Sequence, residues 1–63
     1  MGDGGREIYV EFVVRGAYVK ATAIDGATGL EASVVGLATA PRAALSAAAV
    51  RKLDYVRKQK GGT

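Results

Sequence analysis

The sequence predicts an α+β domain: a three-stranded antiparallel β-meander followed by one C-terminal α-helix packed on one face of the sheet, in the order β-β-β-α. Three observations carry this prediction. Apolar residues alternate with a period of two from Glu7 to about Gly36, glycine-containing turn signals interrupt that stretch twice, and after Gly36 the period becomes that of a helix. The 63 residues hold no internal repeat and make one small domain, 1–63, with flexible ends expected at 1–6 and 61–63.

Strand one follows from the alternation after Glu7. Ile8, Val10, Phe12 and Val14 point to one side, and Glu7, Tyr9, Glu11, Val13 and Arg15 to the other. Gly16 supplies the positive φ that a two-residue reversal demands. Strand two then runs from Tyr18 to Ile24. Its small residues Ala21 and Ala23, with Val19, suit the side on which a helix approaches closely, and Tyr18, Lys20, Thr22 and Ile24 take the other side. The stretch Asp25-Gly-Ala-Thr-Gly29 is a hairpin signal: the Asp25 side chain can bond to turn amides, and Gly29 can adopt the left-handed conformation. Strand three covers Leu30 to about Gly36, with Ala32 and Val34 on the core side.

The helix is expected to begin near Ala40 or Pro41, with Thr39 as N-cap, because proline is tolerated in the first turn and removes an amide that has no intrahelical partner there. Leu45, Ala49, Leu53 and Val56 recur at spacings of four, four and three and form the stripe that covers the sheet. Tyr55 is expected on the flank of that stripe, at the edge of the core. The helix ends near Lys60, where Gly61 and Gly62 break it.

Composition removes several function classes. The chain has no cysteine and no histidine, so disulfides, histidine or thiolate metal ligation and the usual nucleophile–base pairs are absent. Ser33 and Ser46 have no histidine base, the strand carboxylates alternate outward, and the glycines do not have the spacing of a phosphate loop. No catalytic residue, metal site or cofactor is therefore expected, and the protein is read as not an enzyme. No apolar run approaches the ~18–20 residues that cross a bilayer, and residues 1–6 lack a secretory pattern, so a soluble cytoplasmic protein without membrane contact is expected.

Two surfaces remain as candidates. Tyr9, Val13, Tyr18, Ile24 and Val35 fall on the sheet face that the one helix cannot cover, and an apolar patch of that kind marks an interface. Back-to-back pairing in a homodimer would bury it, with Arg15 and Lys20 meeting Glu7, Glu11 or Glu31 across a two-fold axis; an unidentified protein partner is the other occupant weighed. The second candidate is polyanion binding by Arg51, Lys52, Arg57, Lys58 and Lys60, five of the nine basic residues against only Asp54 in that stretch. Against it stands the ordinary preference for cations at a helix C-terminus. The outer sheet face carries Glu7, Glu11 and Glu31 against Arg15 and Lys20, so a phosphate backbone would be repelled there and any nucleic-acid contact would fall to the helix end. The Gly61-Gly62 ending is reminiscent of sulfur-carrier and ubiquitin-like tails, but a helix leads directly into it and Thr63 follows it.

At VKATAIDGATGLEASVVG, followed by APRAAL and RKLDYV, the chain resembles a family of short, uncharacterised alphaproteobacterial proteins classed as a domain of unknown function. The resemblance spans roughly Glu7 to Lys58 and rests on Thr22-Ala23-Ile24-Asp25, Thr28-Gly29, Ala40-Pro41 and Lys52-Leu53 with Tyr55-Val56. Gly26 stands where the family pattern has a proline. The resemblance implies the fold given above and a bacterial cytoplasm, and carries no activity to any residue.

Overall fold

A computed structural model describes residues 7–61, with side chains through Gln59. The expected flexible ends lie outside the described residues, save Gly61, which is the last residue of the helix. The elements are β1 (Ile8–Arg15), β2 (Tyr18–Asp25), β3 (Glu31–Leu37) and α1 (Arg42–Gly61). The three strands form one antiparallel sheet in the order β1-β2-β3, and the helix packs on it, so the β-β-β-α meander expected from the alternation is the architecture of the protein.

Both reversals use glycine where the backbone needs it. Gly16 has φ 58° at the first position of the two-residue β1–β2 turn, and Gly29 has φ 80° at the end of the β2–β3 turn, conformations that a Cβ would strain. Asp25 accepts hydrogen bonds from the amides of Ala27 at 2.8 Å and Thr28 at 3.3 Å, as the turn signal implied. The Gly26 amide donates to the Glu7 carbonyl at 2.9 Å, a bond that a proline at this position would forfeit.

The core is thin and made at close range. Val19, Ala21, Ala23 and Ala32 of the sheet meet Leu45, Ala49 and Leu53 of α1, and Val34, Val50 and Val56 pack around them. Small residues on both sides let the helix settle near the backbone of β2 and β3. The approach leaves no room for a side chain at Gly36, where a Cβ would lie 2.5 Å from Leu45 Cδ2.

That close seating corrects one expectation about β1. Phe12 and Val14 face the helix side as predicted, since they pair with Ala21 and Val19, yet both are exposed, Val14 to 56%. A helix is about 10 Å across and strands are about 4.8 Å apart, so one helix covers about two strands. Here it covers β2 and β3. Arg42 reaches over Phe12, its guanidinium carbon 5.6 Å from the ring centroid.

The helix start also differs from expectation. The position before the first helical residue is Pro41, whose carbonyl accepts from Ala44 at 3.1 Å and Leu45 at 3.3 Å, and Thr39 sits in the preceding turn. The fixed φ of Pro41 organises the first turn, and the cap falls two residues later than Thr39. β3 likewise runs one residue further than expected, which places Leu37 opposite Tyr18.

Candidate functional site: the outer face of the sheet

The register places the outer face in four rows across the strands. From the β1–β2 turn these are Arg15–Tyr18–Leu37, Val13–Lys20–Val35, Glu11–Thr22–Ser33 and Tyr9–Ile24–Glu31. The face is therefore polarised along the strands, with Arg15 and Lys20 at one end and Glu11 and Glu31 at the other, where Glu7 adds a third carboxylate.

The five apolar candidates share this face but not one patch. Val13, Tyr18 and Val35 lie together at the basic end and are joined by Leu37, which the shorter strand three had left out; Tyr18 is 55% and Val35 66% exposed. Val13, Arg15, Tyr18, Lys20 and Val35 line an open groove of about 340 Å³. Tyr9 and Ile24 stand at the acidic end, Ile24 half-buried. Between the two groups runs the polar row, where the hydroxyls of Thr22 and Ser33 are 2.9 Å apart and Thr22 is shielded by its neighbours on the central strand.

At the acidic end the Tyr9 hydroxyl donates to Glu7 Oε1 at 2.6 Å. That bond to a carboxylate, and then the carboxylate's charge, push the Tyr9 hydroxyl above its ordinary value. Tyr9 is thereby held as a neutral donor to Glu7.

The basic helix end is divided by its own contacts. Lys52 Nζ donates to the Ser33 carbonyl at 2.8 Å, and Arg57 lies 3.6 Å from Asp25 Oδ2 and 3.7 Å from Asp54 Oδ1. Arg51 and Lys58 project into solvent, and the Lys60 side chain is outside the described residues. The five candidates thus do not form one free cluster. Tyr55, expected at the core edge, is 63% exposed and falls between Arg51 and Lys58 on the solvent side of the helix, because Lys52 and Ala48 take the flank nearer the sheet.

Asp25 is the one buried ionisable group of the sheet face under the helix, only 5% exposed. The Ala27 amide bond holds its carboxyl below the usual carboxylate range; burial opposes this, and the Thr28 amide and the Arg57 charge add to it. The sequence had given Asp25 only a turn role, and no local signal could have paired it with Arg57. Among the described residues no three His, Cys, Asp or Glu side chains gather as a metal site would require, and no helix is long and apolar enough to cross a membrane.

A family model described as Domain of unknown function (DUF6898) matches residues 5–60. No curated protein and no solved structure matches the chain.

Proposed function

The chain belongs to this family of unknown function, and from that premise we propose that it is a non-enzymatic interaction protein that self-associates through the outer face of its sheet. The observation that carries the reading is the polarised face: an apolar group of Val13, Tyr18, Val35 and Leu37 beside Arg15 and Lys20 at one end, and Tyr9 and Ile24 beside Glu7, Glu11 and Glu31 at the other. A two-fold axis running across the strands lays the basic end of one copy on the acidic end of the next and Tyr18 on the Tyr9 and Ile24 end. An axis along the strands would stack like charges. The arrangement is self-complementary in the first sense only, as an isologous contact must be.

Support for a non-enzymatic role comes from the chain's lack of histidine and cysteine and from a titratable set that is either dispersed or engaged in structure. Complete absence of cysteine suits a cytoplasmic location, which is part of the same proposal. The competing polyanion reading loses ground because Lys52 and Arg57 are occupied.

The test is solution mass by light scattering at low and high salt. Association held by the apolar groups persists as salt rises, with only its charge pairing screened, whereas phosphate binding weakens steeply. Tyr18→Glu and Val13→Glu should each split the assembly. A wild-type monomer that joins a DNA duplex at low salt would sink the reading and return the function to the helix.

A further inference from the structure

The two edges of the sheet are treated differently. The bond from the Gly26 amide to the Glu7 carbonyl fixes the phase of the β1–β2 ladder: odd-numbered residues of β1 bond to β2, and Ile8, Val10, Phe12 and Val14 turn their amides and carbonyls to the open side. In β3 the Asp25 to Leu30 bond fixes the matching phase, so Ser33 turns its carbonyl outward, and there Lys52 takes it at 2.8 Å. The β3 edge is thus blocked by a lysine crossing it, a device that keeps edge strands from pairing. Nothing comparable lies on β1 among the described residues. All four of its edge-facing residues are apolar, and on the helix side Val14 is open and Phe12 is met by the Arg42 guanidinium while staying partly exposed.

We propose that β1 is a pairing edge for β1 of a second copy of this chain, joined antiparallel about a two-fold axis at Val13. In this register Phe12 opposes Val14 of the second copy and exchanges both backbone bonds with it, and Glu11 opposes Arg15 of the second copy on the outer face. The charges select the register. A slip of two residues either way takes Glu11 away from Arg15, a slip of four toward Ile8 brings Glu7 to Arg15 only by setting Glu11 against itself at the axis, and a slip of one breaks the hydrogen-bond phase. The product is a six-stranded sheet with both helices on one side and the Phe12 and Val14 side chains of both copies packed in the gap between them. This axis is perpendicular to the sheet and therefore distinct from the axis that pairs outer faces, so the proposal stands whether or not those faces associate.

The experiment measures mass by light scattering for the wild type, Val14→Lys, Val14→Pro and Tyr18→Glu, with circular dichroism on each. Proline at 14 removes an amide that the monomer does not use, so the fold should survive while pairing is lost; lysine adds an edge charge without touching the outer face. We expect both Val14 variants to be folded and to lose one two-fold contact, halving the wild-type mass, and Tyr18→Glu to keep edge pairing as a dimer of the 6.5 kDa chain. In Tyr18→Glu, hydrogen exchange at the amides of Phe12 and Val14 should be slow, and in the Tyr18→Glu, Val14→Lys double variant fast. A folded Val14→Lys protein with wild-type mass, or fast exchange at Phe12 and Val14 in every associated form, overturns the edge proposal and leaves the outer-face reading intact. Loss of all association in Tyr18→Glu alone also overturns it.

Discussion

Arg57 Nε lies 3.6 Å from Asp25 Oδ2, which ties the last turns of the helix to the end of the central strand. The carboxylate also closes the β2–β3 turn through the amides of Ala27 and Thr28, so one side chain fastens a hairpin and the element that covers it.

Acid should therefore loosen the domain through Asp25. Its carboxyl is held below the usual range when folded, chiefly by the Ala27 amide, so its contribution is fully present above the unfolded-state value of about 3.9 and is lost as pH falls through the folded-state value. Thermal melts between neutral pH and about pH 2 should show the midpoint falling in that acid window. Asp25→Asn keeps a turn acceptor but no charge, and it should lower the neutral-pH midpoint and flatten the acid limb. An Asp25→Asn protein with an unchanged acid limb would mean that other carboxylates carry it.

Gly36 tests how closely the helix is seated. A Cβ there would meet Leu45 Cδ2 at 2.5 Å, and Leu45 is buried, so its rotation displaces other core atoms. Gly36→Ala should cost about 1–2 kcal/mol. The two sites are coupled: Leu45→Ala made in the Gly36→Ala background should cost less than in the wild type, because the methyl partly fills the space that Leu45 vacates. A double-mutant cycle by denaturant unfolding measures the difference, and additive costs would show that the contact is relieved elsewhere.

Leu53 is the largest fully buried side chain among the described residues, in a core otherwise rich in alanine. Leu53→Ala should cost about 2–5 kcal/mol. Domains of this size often hold little more than that in total. Far-ultraviolet circular dichroism of Leu53→Ala should show a largely unfolded chain at 37 °C, and a fully folded one would mean that association supplies most of the stability.

The elements were legible because each rests on local period: alternation from Ile8 to Val14 and from Tyr18 to Ile24, and the four-four-three stripe from Leu45 to Val56. Which face each strand residue takes followed from the same period. What escaped depends on where the helix lands, and that is fixed by contacts between residues distant in sequence. Alanines at 21, 23, 32 and 49 and the bare Gly36 draw α1 onto β2 and β3, so Phe12 and Val14 have the right phase but no apolar cover from the helix core. The pairings of Arg57 with Asp25 and Lys52 with Ser33 have the same origin, and they split a basic run that in sequence reads as one patch.

That split limits how steeply any binding of DNA can depend on salt. Each cation that neutralises a phosphate adds about −0.9 to the slope of log Kobs against log salt on duplex DNA. With Lys52 and Arg57 engaged, at most three of the five candidate cations can meet phosphate, so any low-salt association of the helix end with a short duplex should have a slope no steeper than about −3, where five phosphate contacts would give about −4.5. Arg51→Gln with Lys58→Gln should bring it to about −1, and Lys52→Gln should leave it unchanged. Titration of a labelled duplex across a salt series reads all three. A wild-type slope near −4.5 that Lys52→Gln reduces would show that the helix gives up its bond to the Ser33 carbonyl on binding, and that the basic end, not the sheet, is the working surface.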